Sequence, residues 1–366
     1  MFDIITIGTA TRDVFLTSKL FKVIKDPEHL KKIGILTGEA ECFALGSKIE
    51  IEKPIFTTGG GAANAAVTFA RQGLKTASLM RLGKDPEAES ILKELKKEKV
   101  FVFPVFDKNL STGYSAILLS PNGERTILAY RGASHNLKAT EIPFDKISAR
   151  GGSPPKADAP MEHASGGKSR WAYISPGNIP FPTLLKIYSH LEKQNTLIAI
   201  NPSKYLIEMG IKKLEPILSK SKVVILNREE ASYLTKTKYQ NEKGIFERLD
   251  KAVLGIAVMT DGPKGVIVSD GRKIYQAKTF KNKKVVDRTG AGDSFGSGFV
   301  CGLISRKEKC DKNKCAPANI AYAIQLGAAN ATSNLEKIGA TEGLLTKNDF
   351  EKNPRWKTLK IEINNI

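Results

Sequence analysis

The run Asp287-Arg288-Thr289-Gly290-Ala291-Gly292-Asp293-Ser294-Phe295 sets carboxylates around small residues, and Gly296-Ser297-Gly298-Phe299-Val300-Cys301-Gly302 continues it with helical character. Small residues at a helix start let a ligand approach the backbone, and the unpaired amides and positive dipole end found there favour a phosphate. Asp293 in that first turn has two readings, a cap on a buried helix or a carboxylate placed for chemistry. A second glycine cluster, Gly59-Gly60-Gly61-Ala62-Ala63-Asn64, also leads into a small-residue helix. It is not a dinucleotide fingerprint, because Asn64 stands where the last glycine belongs and the preceding segment is polar. Gly166-Gly167-Lys168-Ser169 ends like a P-loop, yet Glu162 occupies the earlier glycine position and an apolar strand follows where a helix is needed.

The elements that must hold these residues alternate. Apolar runs at Met1 to Gly8, Ala77 to Arg81, Trp171 to Ser175, Thr196 to Asn201, Lys222 to Asn227 and Gly255 to Thr260 read as buried strands. Between them, Ala62 to Gln72, Pro86 to Lys97, Pro182 to Gln194 and Ser294 to Ile304 carry helical period. Strands alternating with such helices imply βαβ units and a mostly parallel sheet covered on both faces. Ligands bind at the carboxyl edge of such a sheet, and Asp13 lies just past the first strand. Residues 42 to 57 and 112 to 130 instead alternate apolar and polar, the latter with Pro121-Asn122-Gly123-Glu124 as a hairpin turn. These read as half-exposed antiparallel strands inserted into the α/β core. Residues 150 to 170, rich in Gly, Pro, Ser and Ala, read as a mobile surface insertion.

With 366 residues, 41% of them hydrophobic and 26% charged, the chain has the composition of an ordinary globular protein. Disorder, collagen and a small disulfide scaffold are excluded. The net charge of +19, from 57 basic and 38 acidic residues, raises nucleic acid as a partner. Only 13 of those basic residues are Arg, and the Lys are interleaved with Glu, as in Lys93-Glu94-Leu95-Lys96-Lys97-Glu98-Lys99. Nucleic-acid readers concentrate Arg and interleave aromatics. The charge therefore reads as a solvated face, with no specific nucleic-acid partner. The cysteines, Cys42, Cys301, Cys310 and Cys315, are too sparse for a disulfide framework and lack zinc-knuckle spacing. Cys310 and Cys315 flank a polar stretch that reads as a surface loop, with a metal or redox pair as the alternative. Asp3 and Arg12 near the amino terminus argue against a signal peptide, and no apolar run reaches bilayer-spanning length, so a cytoplasmic protein without a membrane partner is expected.

The glycine cluster at 59 to 61 with its helix to Gly73, Arg81-Leu82-Gly83-Lys84-Asp85, and Asp287 to Asp293 resemble the ribokinase-like family of sugar kinases, also called phosphofructokinase B-type. Gly8 with Asp13, Asn227-Arg228-Glu229-Glu230, Thr260-Asp261-Gly262-Pro263-Lys264-Gly265 and Gly339-Ala340 fall in the order that family shows. The resemblance implies a three-layer α/β sandwich with a mostly parallel central sheet and a smaller antiparallel β lid. It divides the chain into a core of residues 1–14, 58–108 and 135–366, and a lid of 15–57 and 109–134.

The resemblance further implies ATP-dependent phosphorylation of a hydroxyl on a sugar or sugar-like substrate. Asp293 is then the general base, and the amides of Gly290, Ala291 and Gly292 form the anion hole. Asp13, Gly59, Gly60 and Asn64 hold the substrate; Asn227, Thr260, Gly262, Gly265 and Asn330 meet the nucleotide. Glu230 helps hold Mg2+, largely through water, and Asp287 falls at a position associated with a monovalent cation such as K+. A homodimer through the lid is also implied. Arg288 stands where the family usually has a small residue, and Gly61 and Ala62 replace a Lys and a Gly of ribokinase itself. The resemblance therefore does not single out D-ribose, and a nucleoside kinase of the same family is the alternative. A non-catalytic polyanion-binding protein on the same scaffold is the third reading.

Overall fold

The computed structural model describes residues 1–35, 37–120, 124–148, 169–281, 283–305 and 315–366. Ten strands form one sheet, in the spatial order Ile361–Asn365, Lys273–Ala277, Val266–Ser269, Ile256–Thr260, Val223–Asn227, Leu197–Ile200, Ser169–Ser175, Phe2–Gly8, Thr76–Leu82, Phe101–Phe106. Every pair from strand 101–106 to strand 256–260 is parallel, and the last three strands join antiparallel. Side chains of a strand alternate between faces, so each central strand feeds two cores. Ile5, Ala172, Ile174, Val224 and Leu226 point to one face, covered by helices Phe181–Lys193, Ile211–Leu218, Arg228–Thr235 and Glu242–Ala252. Ile4, Trp171, Tyr173, Val223 and Ile225 point to the other, against helices Gly61–Arg71, Ala291–Ser305 and Pro317–Asn334. Burial on both faces is why these strands read as continuous apolar runs.

A second sheet of four strands has the order Ile55–Gly59, Thr11–Thr17, Gly113–Leu119, Arg125–Tyr130. Its outer pairs are antiparallel, and its central pair, 11–17 with 113–119, is parallel. Strands 11–17 and 55–59 cross the boundaries drawn at 14/15 and 57/58, so Asp13 belongs to the small sheet and not to the core. The clamp at its root is polar: Arg12 Nη1 donates to Glu94 Oε1 at 2.6 Å, and Glu94 Oε2 accepts from the Thr58 amide and hydroxyl. The alternation across 42 to 57 is only partly a strand. Glu39–Cys42 pairs with Lys22–Lys25 and the next strand begins at Ile55, while residues 43–54 form none. Among the described residues they find no neighbouring strand to bury an alternating face against; Glu52 N to Thr17 O and Ser18 Oγ to Glu50 O tie them to the end of strand 11–17.

The insertion at 150 to 170 and the P-loop-like Gly166 to Lys168 lie outside the described residues apart from Ser169 and Arg170, which open a strand; Pro121 to Gly123 of the expected hairpin turn also lie outside them. Cys42 and Cys301 are free thiols, whereas Cys315 is disulfide-bonded, as the redox alternative for its stretch allowed; Cys310 lies outside the described residues. No helix among the described residues is long and apolar enough to cross a membrane.

Helices 291–305 and 317–334 approach closely because both carry small residues at the contact. A Cβ at Gly302 would come within 2.5 Å of Ala323 Cα, and one at Gly298 within 3.0 Å of Gly327 Cα. Gly302→Ala is therefore expected to force the helices apart and to destabilise the fold by about 1–3 kcal/mol. Urea denaturation measures this, and an unchanged midpoint would contradict the packing.

Candidate active site

The carboxyl ends of the parallel strands converge at Gly8, Ser175, Asn227 and Thr260. Thr9, directly after Gly8, accepts the Ala63 amide at its carbonyl and the Gly61 amide at its hydroxyl, which seats the start of helix 61–71 on this edge. Gly60, with φ of 93°, makes the turn into that helix, and a Cβ there would strike Thr9 O at 2.7 Å.

Asp13 lies across the strand pairing from Thr57 and against Gly59, where a Cβ would collide with its carboxylate. Thr11 Oγ1 donates to Asp13 Oδ1 at 2.8 Å, and Ser115 donates from the next strand. Burial pushes the Asp13 carboxyl above the usual range, against the opposing effect of Ser115, Thr11 and Arg12.

Asp293 sits in the first turn of helix 291–305, over Gly61. A Cβ at Gly61 would collide with Ser175 Oγ and come within 3.1 Å of Asp293 Oδ1. Asn64 Nδ2 donates to Asp293 Oδ2 at 3.0 Å. Burial raises the Asp293 pKa, the Asn64 hydrogen bond lowers it, and the Asp13 charge raises it. The Tyr173 hydroxyl is buried without a partner among the described residues and held well above its ordinary pKa by burial and by the Asp293 charge. Gly59, Gly60 and Asn64, Asp13 and Asp293, from three separate segments, thus form one acidic cluster with Ser175 and Tyr173. Sequence reading missed the last two, because a Ser at a strand end and a Tyr inside an apolar run carry no signal of their own.

On the other side of the start of helix 291–305 lies a cavity of about 570 Å³, within the range of small-molecule sites. Thr260, Gly262, Gly265, Ala291, Gly292 and Phe295 line it, together with the cations Arg125, Lys278 and Arg288. Arg125 comes from the small sheet, and neighbouring Glu124 meets Arg288 Nε at 3.3 Å, so the lid reaches this cavity. Arg228, Asp261 and Tyr239 brace its turn: Arg228 Nη1 donates to Asp261 Oδ2 at 2.6 Å and the Tyr239 hydroxyl to Oδ1 at 2.7 Å. A larger cavity of about 620 Å³ follows the outer strand 101–106 and contains none of these groups.

Four candidates take other positions. Asn330 does not line the cavity: it is fully buried, donating to Thr68 Oγ1 and Ser294 O and accepting from the Leu345 amide. All its polar atoms are consumed in joining helices, which corrects the nucleotide assignment; Ala331 and Thr332, next in the chain, line the cavity instead. Asp287 is a loop staple, accepting from the Thr289 amide and hydroxyl and from the Gly339 amide. Asn227 and Glu230 form a reciprocal capping box at the start of helix 228–235, each side chain accepting the other's amide at 2.8 Å. Burial, Glu229 and Asp293 raise the Glu230 pKa, so it stands within electrostatic reach of Asp293.

A mostly parallel sheet between two helical layers, with a small second sheet, is the ribokinase-like architecture. Adenosine kinase from Sinorhizobium meliloti superposes with a TM-score of 0.70 at 19% identity, over 94% of this chain and 97% of its own. Ribokinase from Thermotoga maritima gives 0.69 at 21% identity, over 96% and 98%. The sequence matches the profile of the pfkB family carbohydrate kinases over residues 28–347. An uncharacterized sugar kinase from Archaeoglobus fulgidus is 26% identical over 276 residues, 75% of this chain and 97% of that protein. The chain belongs to the pfkB family of carbohydrate kinases, and it is a phosphotransferase with an alcohol group as acceptor.

Gly61→Ala is expected to displace Ser175 or Asp293 and to lower turnover by about tenfold or more, since small misplacements at reacting groups are costly. Thermal unfolding close to that of the parent would assign the loss to the site; full activity would contradict the contact.

Proposed function

We propose that the protein transfers the γ-phosphoryl group of ATP to a hydroxyl of a sugar or sugar-like compound, with Asp293 as general base. The observation that carries this reading is the division of charge about one helix start. Asp293 directly follows Ala291 and Gly292, which line a cavity with Arg125, Lys278 and Arg288, and on its other side it meets Asn64 and feels the charge of Asp13. Phosphoryl transfer asks the protein mainly for position and charge neutralisation, so cations on the donor side and a proton acceptor on the acceptor side are the needed parts. Asp13, Asn64 and the backbone at Gly59 and Gly60 hold the acceptor, since carboxylate and carboxamide make paired hydrogen bonds with a polyol. Thr260, Gly262 and Gly265 hold the nucleotide, and the amides of Gly290, Ala291 and Gly292 receive the transferring phosphoryl oxygens.

Magnesium fits as a water-held ion. Among the described residues no cluster of three or more His, Cys, Asp or Glu forms a cage, and Glu230 keeps one carboxylate oxygen beyond its cap. Mg2+ prefers oxygen ligands, retains water and would neutralise phosphate charge beside Glu230 and Asn227. Asp287 does not fit a cation site as well, because its carboxylate already accepts three hydrogen bonds within the loops it joins. The small sheet leaves Ile55, Phe56, Ile127, Leu128 and Tyr130 exposed, which supports a homodimer through the lid.

Asp293→Asn is expected to reduce turnover by about 10²–10⁴-fold while calorimetry shows ATP binding retained; equal activity would remove Asp293 from the base role. The base works ionised and its pKa is raised, so turnover falls with decreasing pH already above the usual carboxylate range. ADP release across a panel of sugars and nucleosides with ATP and Mg2+ identifies the acceptor class, and turnover of nucleosides alone would replace the sugar reading.

A further inference from the structure

We propose that Asn64 is the positioning residue of Asp293, and that a second polar rung one helical turn below, Thr68 with Ser297 and Asn330, sets the register in which it acts. The inference rests on the reading of Asp293 as the proton acceptor. Helices 61–71 and 291–305 are joined at matched spacing. Asn64 meets Asp293 at 3.0 Å, and four residues further along both helices the hydroxyls of Thr68 and Ser297 share a hydrogen bond of 2.9 Å. Residues four apart lie on one helix face, so the two rungs are stacked. The lower rung is anchored on both sides: Asn330 Nδ2 donates to Thr68 Oγ1 at 3.2 Å, and Ser297 Oγ donates to the main-chain carbonyl of Asp293 at 2.6 Å. The third helix is therefore tied to the backbone of the base itself.

An ionised carboxylate only accepts, so Asn64 must turn its Nδ2 toward Asp293. That orientation leaves Asn64 Oδ1 buried without a partner among the described residues, a cost that stability alone does not explain. Its return is chemical. Asp293 Oδ2 is engaged by Asn64, while Oδ1 lies over Gly61 beside Ser175, open to take a proton. The groups that face Asp293 are Asp13 from the small sheet, Glu230 from helix 228–235 and Tyr173 from strand 169–175. None of these three is a cation; the Asn64 hydrogen bond, together with the helix dipole, favours the ionised base against burial and Asp13.

The test compares Asn64→Ala, Thr68→Val and Thr68→Ser by ADP release from ATP across pH, using the acceptor the panel identifies or water where none is turned over. Asn64→Ala should lower kcat by about tenfold or more and move its acid limb toward neutral pH. Thr68→Val, whose side chain meets neither acceptor nor base, should shift kcat and the limb in the same direction by a smaller factor, leave the acceptor KM unchanged, and be rescued by Thr68→Ser. A Thr68→Val protein that melts earlier with parent kcat and pH profile overturns the role of the lower rung. An Asn64→Ala protein with raised KM, parent kcat and an unmoved limb overturns the role of Asn64; should Thr68→Val fail to fold, this variant alone decides. Full turnover in Asp293→Asn would instead remove the base reading, leaving the two failures distinct.

Discussion

Two helices that start at or directly after a glycine, 61–71 and 291–305, have to lie close enough for a carboxamide on one to hold a carboxylate on the other, and the rest of the site is arranged around that contact. It requires small residues along the contact, which is why the first helix is Ala-rich and buried from Ala62 to Phe69 and the second presents Ser297 to Thr68, while Gly298 serves the approach of helix 317–334. It also requires both helix starts at the same edge of the sheet, which the parallel strand order and the Thr9 bonds to Gly61 and Ala63 supply. An acidic group so near a helix start is favoured by the dipole, yet burial and Asp13 work against its charge.

The charge of the molecule takes on a more local meaning in this setting. A chain of +19 keeps Asp13, Asp293 and Glu230 together at its centre and three cations around the adjoining cavity. At physiological salt, fields are screened beyond about 8 Å, so the diffuse lysines act on encounter with an anionic nucleotide and not on the chemistry. Local placement decides the rest. Arg288, out of character for its motif, faces Glu124 of the lid, so this departure is coupled to the approach of the small sheet.

Much of this was legible along the chain. Runs such as Trp171 to Ser175 and Lys222 to Asn227 announce strands covered on both faces, and Gly-Ala-Gly-Asp announces a helix start open to an anion. Asp13 was visible as a carboxylate past the first strand, though not as part of the small sheet, because pairing partners far apart in sequence leave no local trace. Asn330 and Asp287 show the converse limit. Each is a polar residue inside a recognisable motif, and each proves to spend its hydrogen bonds on neighbouring loops and helices. The stretch Ser47 to Glu52 alternates as a strand does but has no neighbour to pair with, and period alone cannot supply one.

By itself the sequence determined the α/β class, the two glycine-led helices and the residue types available for phosphoryl chemistry, because periodicity and backbone freedom are local properties. The tertiary structure decided which polar groups remain free to act. Whether a carboxamide reaches a base or braces a helix, and whether a carboxylate faces a cavity or a backbone amide, depends on distances between segments hundreds of residues apart. Asn64 and Asn330 are chemically identical, and packing alone sets one beside Asp293 and the other between helices.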